Sequence, residues 1–286
     1  MSDGKKPRLG LNGTGRKRKK YRSDGTPIWG KRHIDGPGVW VSCVKGKEKQ
    51  TVGELYDLFD SVAVELWPPT EIASEDPDNP PGEALEGDVE AQIASEVSAI
   101  KRPRTEPRFV NCQTNTPCVL FISCKPPVNP VELVMKHMKN VEDTGIARTR
   151  YTHRMIPVSD SCVANLPEIQ ALCHSMFKPF FSRHPGRKFT YKIELRVRNH
   201  TTIPRPMLIQ HIAQCVPECH SVDLENPDIF ILVEIFKSVC GVSIVRDYYR
   251  LQKFNVMEII NTKNALDHTS GVFVRDKTNE RLSKMM

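Results

Sequence analysis

The sequence predicts an α+β protein made of two consecutive small domains, the first of the ferredoxin-like kind. Three observations predict it. Between residues 39 and 158 the apolar residues follow strand and helix periods in the order strand, helix, insert, strand, strand, helix, strand. From Leu166 a second set begins, with an amphipathic helix, an alternating strand, another helix and a fully apolar run. Charge divides the chain as well. Residues 1–34 hold 11 Lys/Arg against 2 Asp/Glu, and residues 70–100 hold 9 Asp/Glu with no Lys/Arg.

Residues 1–38 are rich in Gly, Lys, Arg and Ser and lack large apolar side chains, so they predict a disordered basic tail. The run Gly15–Lys20 within it reads on one side as a nuclear import signal or an RNA-gripping arm, and equally on the other as a solvated tail that improves solubility. Order is expected from residue 39, where Val39–Cys43 reads as a strand. Val52, Leu55, Phe59 and Val62, with Leu58 beside them, form one helical stripe that Trp67-Pro68-Pro69 ends. Residues 69–108 are acidic and Pro-rich, the mark of an insert protruding from the first domain, with room for a short helix over Val89–Ile100. Val119–Ile122 predicts a buried strand. Asn129-Pro130-Val131-Glu132 predicts a capped helix running to about Lys139. Thr149–Pro157 alternates poorly but ends in Met155-Ile156-Pro157-Val158, a candidate for the strand that closes the first domain, assigned residues 39–158.

The second domain is assigned residues 159–262. Its first helix carries Ile169, Leu172, Cys173, Met176 and Phe180 on one face. In the strand Phe189–Asn199, Tyr191, Ile193, Leu195 and Val197 alternate with Lys192, Glu194, Arg196 and Arg198. Thr202 is placed to cap a helix containing Leu208, Ile209 and Ile212. Asp228–Phe236 is apolar throughout, as in a strand covered on both faces, and a turn at Gly241 should lead to a strand over Val242–Val245. Residues 263–286 read as a polar tail, interrupted by Gly271–Val274.

Nine cysteines, an odd number set mostly in apolar runs, suit reduced buried thiols and a cytosolic or nuclear compartment. No run of 18 apolar residues predicts a membrane span. Gly10–Lys17 is the one glycine-rich run near lysine, but it follows no strand and has Arg where the phosphate-gripping motif needs Lys. Cys215, Cys219 and His220 form the densest ligand cluster, yet a structural zinc needs a second close pair. Cys173 and His174 are adjacent, so on a helix they splay about 100° apart and cannot act on each other. No small-molecule substrate, cofactor or metal is expected.

Basic residues are better organised. Lys192, Arg196 and Arg198 alternate on one strand, followed by Asn199, His200 and, at a helix start, Arg205. Arg246, Arg250 and Lys253 are interleaved with Tyr248 and Tyr249. Guanidinium and ammonium groups beside rings suit RNA with unpaired bases, the first holding phosphates and the second stacking. The same strand could equally present an ordinary polar outer face.

Val222–Asp228 followed by Ile229–Lys237 resembles the signature end of a THUMP domain, an RNA-binding module of tRNA-modifying proteins. Three further stretches resemble the eukaryotic THUMP-domain adaptors of tRNA cytidine acetyltransferase. They are Thr149-Arg150 with Arg154–Ser159, Phe177–Phe181, and Val233–Cys240 through Val245–Tyr248. The acidic insert with Gly87–Glu90 and Glu96-Val97 fits too, and coverage runs from about Gly36 to Ile260. The resemblance implies a ferredoxin-like domain joined to a THUMP domain that grips the acceptor end of tRNA, with its unpaired 3′ terminus. It implies no catalytic domain. The partner would be a nuclear acetyltransferase using acetyl-CoA and ATP to form N4-acetylcytidine in the D-arm of leucine and serine tRNAs. Residence in the nucleus, chiefly the nucleolus, with a share in the cytoplasm, goes with it. Two other readings remain: an RNA-modifying enzyme with an unrecognised site, and a nucleolar RNA scaffold.

Overall fold

A computed structural model describes residues 33–68 and 107–265. The basic tail, the acidic insert with its short helix and the Gly271–Val274 patch lie outside the described residues. The first unit runs β1 (Gly38–Cys43), α1 (Glu48–Leu66), β2 (Phe109–Cys112), β3 (Val119–Cys124), α2 (Pro130–Thr144) and β4 (Thr152–Val158). Its sheet has the order β2-β3-β1-β4, with every neighbouring pair antiparallel. That is the split βαβ arrangement of a ferredoxin-like fold, as the sequence predicts.

Local chemistry sets these elements. The Asn129 side chain accepts a hydrogen bond from the Val131 amide and Pro130 fills the first turn of α2, so the predicted start is correct. The helix runs one turn further than expected, to Thr144, and Gly145 ends it in the left-handed conformation with φ 72°. Gly38 is needed for close approach, because a Cβ there would lie 2.5 Å from the Ile122 carbonyl oxygen and from the Phe121 ring.

The second unit runs β5 (Asp160–Val163), α3 (Leu166–Ser182), β6 (Thr190–Arg198), α4 (Arg205–Gln214), β7 (Ser221–Val222), β8 (Ile229–Phe236) and β9 (Val239–Val245). A helical stretch over residues 256–265 follows. The sheet order is β5-β9-β8-β6-β7; β6 pairs parallel with β7 and β8, and the other pairs are antiparallel. Strand β5 was not predicted; its short polar sequence gives no period to read. The turn expected at Gly241 lies instead at Lys237-Ser238. Gly241 sits inside β9, where a Cβ would press on the Val158 side chain at 2.8 Å. Thr202 is not the cap of α4. Pro204 stands there and makes no side-chain cap bond, and its φ of −62° already suits a helix start. No helix of the described residues is long and apolar enough to cross a membrane.

Two cores form, and strand β8 belongs to both. Ile229, Ile231, Val233 and Ile235 pack with α3 and α4. Phe230, Leu232 and Phe236 enter the core of the first unit. Trp40 of β1 meets Phe121 at 4.7 Å and Phe236 at 5.0 Å between ring centroids. Leu251, Phe254, Val256 and Ile259, from the end of the described chain, join that same core. The prediction of a strand covered on both faces therefore holds, and one cover is the other domain.

Candidate nucleic-acid interface

Sequence reasoning placed Lys192, Glu194, Arg196 and Arg198 on an outer face of β6. The structure turns that face toward the first unit, because the even-numbered residues of the neighbouring β8 pack there. Arg196 Nε lies 3.5 Å from Glu234 Oε1, and the two side chains are 29% and 11% exposed. Arg154 of β4 and Arg198 line the same crevice, so both sheets contribute guanidinium groups. Burial pushes the Glu234 carboxyl up to about 7, against the downward pull of Arg196, Arg198 and Arg154. Desolvation likewise lowers the Arg154 guanidinium, helped by Arg196. Arg154 stood within a motif read for its resemblance, and nothing in the alternation of β6 could signal that it would join this cluster.

The remaining predicted residues divide into separate places. Lys192 donates to the Leu224 carbonyl at 3.0 Å, lies 3.6 Å from Glu194 Oε1 and sits 4.7 Å from the Tyr249 ring centre. Lys253 approaches the same ring at 5.1 Å, and the Tyr249 hydroxyl donates to Glu194. Lys192 and Lys253 are thus brought together. Lys253 lies within Gln252–Phe254, three successive non-glycine residues with φ of 49°, 54° and 57°. Such a left-handed turn is costly for L-residues, and buried Leu251 and Phe254 hold it in place. Arg250 is tied to Glu142 and to Asp247, which raise its pKa, so it links the two units. Arg205 donates to the Leu195 carbonyl at 2.6 Å along the edge of β6. Asn199 is exposed with φ 53°, and His200 Nδ1 lies 2.8 Å from the Lys237 carbonyl oxygen. Neither joins a larger cluster.

Arg246 lies elsewhere, 5.9 Å from the Phe189 ring, with Arg187 4.7 Å from the same ring. Both also depress the Asp228 carboxyl, though less than the hydrogen bonds from Thr190 do. Arg187 lines a cleft of about 480 Å³ between the end of α3, the Ser182–Lys188 loop and the Cys215–His220 loop; Arg246 is not among its lining residues. Lys178, Arg187 and Lys188 line it, together with the rings of His174, Phe181 and His220; none of its lining residues is a carboxylate. His220 stacks on Phe181 at 4.1 Å and 24°, and its Nδ1 accepts from the Phe189 amide, so the proton sits on Nε2. Burial lowers the His220 pKa, favouring the neutral ring. Cations around stacked rings suit an unpaired nucleotide: ammonium and guanidinium groups for phosphate, ring faces for base. Sequence reasoning missed this cleft. Its residues come from a helix end and two loops without periodicity; the Phe177–Phe181 motif and the Cys215, Cys219 and His220 cluster lay near it, the latter read only as a metal-ligand set.

Cys173 is buried, with its thiol pushed up to about 12, while the adjacent His174 is exposed, so the two diverge as the helix geometry requires. Cys219 Sγ lies 3.5 Å from His220 Nε2. Among the described residues no group of three His, Cys, Asp or Glu side chains is placed to hold a metal ion.

Comparison with known proteins adds to this geometry. A family model described as THUMP domain matches residues 163–245. A protein of Schizosaccharomyces pombe is 32% identical over 247 residues, spanning 84% of this chain and 83% of that protein. THUMP domain-containing protein 1 of Bos taurus is 30% identical over 235 residues, spanning 80% of this chain and 64% of that protein. The protein named tRNA acetyltransferase TAN1 of Saccharomyces cerevisiae is 29% identical over 257 residues, spanning 82% of this chain and 88% of that protein. With its ferredoxin-like unit and a second unit matching the THUMP model, the chain belongs to the family of THUMP-domain proteins that contains these relatives.

Proposed function

We propose that this chain binds tRNA and presents it to a separate acetyltransferase, without forming the new bond itself. The observation that carries the reading is the cleft at the end of α3, where Lys178, Arg187 and Lys188 surround stacked rings with no carboxylate among the lining residues. Such a site suits the unpaired 3′ end of tRNA, whose phosphates need cations and whose bases need ring faces. The shared core supports the second half of the reading. Phe236 against Trp40 fixes the THUMP unit on the ferredoxin-like unit, so RNA gripped at one end lies at a set distance from the rest of the molecule. The name of the budding-yeast relative favours acetylation as the chemistry served. By the resemblance, the product is N4-acetylcytidine in the D-arm of leucine and serine tRNAs, with acetyl-CoA and ATP consumed by the partner, in the nucleus.

The test is reconstitution. Purified chain, tRNA, acetyl-CoA and ATP are combined with and without the tRNA cytidine acetyltransferase, and nucleosides are read by mass spectrometry. N4-acetylcytidine is expected only with both proteins. Product from the chain alone would make it an enzyme; product from the partner alone at the same rate would remove the adaptor role.

A further inference from the structure

The crevice between the two sheets is built as an incomplete site. It is lined by Arg154 from β4, Arg196 and Arg198 from β6, Glu234 from β8, and Trp40 and Ser42 from β1. Three guanidinium groups face one carboxylate. Glu234 is 9% exposed and its nearest ion pair is with Arg196. Two polar atoms of the lining residues are buried with no partner: Trp40 Nε1 and Arg154 Nε. Both are donors. Buried donors left unpaired are costly, and native structures nearly always supply them with an acceptor. What this crevice lacks is therefore an acceptor, and the surplus of positive charge selects a negative one.

Size narrows the ligand. The crevice holds about 10 Å³, room for one oxygen-sized atom and no more. A whole phosphate group does not fit, but one of its non-bridging oxygens does, with the remainder outside. Along the same face of β6 lie Lys192, Glu194, Arg196 and Arg198, three cations and one carboxylate, with Glu194 3.6 Å from Lys192; at ~3.3 Å per residue the row spans roughly 20 Å, several phosphate spacings of an RNA chain, and keeps a net positive charge.

We infer that this crevice is an anion seat joining the two units, which takes one non-bridging oxygen of an RNA phosphodiester lying across its mouth. The inference rests on the reading that the chain binds RNA. It adds a function to the junction: an oxygen held by Arg154 on one side and by Arg196 and Arg198 on the other makes the RNA itself part of the contact between the units.

The indole N–H of Trp40 reports on the seat. Its NMR signal, assigned with Trp40→Phe, is followed in the full chain during titration with inorganic phosphate and, separately, with tRNA. Both should move it saturably. Glu234→Gln removes the competing carboxylate and should tighten inorganic phosphate about tenfold, the scale of one lost repulsive charge in a half-buried site. Arg198→Gln should weaken it by a similar factor, and serves if Glu234→Gln does not fold. An unmoved Trp40 signal, or phosphate binding unchanged in the folded variants, overturns the seat and leaves ordered water as the acceptor. Movement with inorganic phosphate but not with tRNA overturns its assignment to RNA. Arg187→Ala with Lys188→Ala keeps the two ideas apart: it should weaken RNA binding roughly tenfold while the Trp40 response to inorganic phosphate persists.

Discussion

The cleft at the end of α3 makes a quantitative claim about salt. Binding that neutralises phosphates releases condensed counterions, and for single strands the logarithm of affinity falls with the logarithm of salt with a slope of about −0.7 per neutralised phosphate. Lys178, Arg187 and Lys188 line the cleft, so one phosphate for each contributes about −2.1 to that slope. Replacing Arg187 and Lys188 by alanine should make the slope shallower by about 1.4, and should weaken binding roughly tenfold at 0.15 M salt. The fold should survive, because both side chains are exposed and the main structural loss is the contact of Arg187 with the Phe189 ring. Fluorescence anisotropy with a labelled single-stranded RNA, repeated from about 50 to 300 mM salt, gives both quantities. A variant that melts like the wild type and keeps the wild-type slope would show that RNA phosphates do not occupy this cleft.

Two further outcomes test the reading of the scaffold. Burial, with a smaller push from Arg148, drives the His137 imidazole down to about 4, so it is neutral in the fold but gains a proton in the unfolded chain below its ordinary 6.5. Its contribution is therefore intact above pH 6.5 and is lost as pH falls from 6.5 to about 4, on the order of 3 kcal/mol in total. The difference between wild type and His137→Leu in urea titrations across that range isolates it, and a pH-independent difference would refute the assignment. Lys253→Gly should stabilise the protein by about 1 kcal/mol, since glycine accepts a φ of 54° without the steric penalty of a Cβ; a lower melting temperature would mean that the left-handed turn carries no strain.

Much of the architecture was legible because it depends on periods. The stripe from Val52 to Val62, the cap at Asn129 and the apolar run of β8 each declare one element, and their order declares a ferredoxin-like unit followed by a second α+β unit. What covers a face is not periodic. The alternation of Lys192, Glu194, Arg196 and Arg198 states that they share a side of β6 but not that Trp40 and Arg154 lie beyond it. Left-handed residues without glycine, as at Gln252–Phe254, leave no mark in the sequence, because buried neighbours hold them there. The cleft went unseen for a related reason: Lys178 belongs to a helix end, Arg187 and Lys188 to a loop, and only the fold brings them to one opening.

A strand that serves two cores leaves the chain without a safe place to be cut. Separating it after Val158 would strip Phe230, Leu232 and Phe236 of their cover and bare the opposite side of Trp40, giving both halves a sticky apolar plate. The two halves are thus better viewed as one folding unit whose parts gain or lose order in concert. A substitution in the ferredoxin-like half can then impair RNA capture in the other half without touching a single nucleotide.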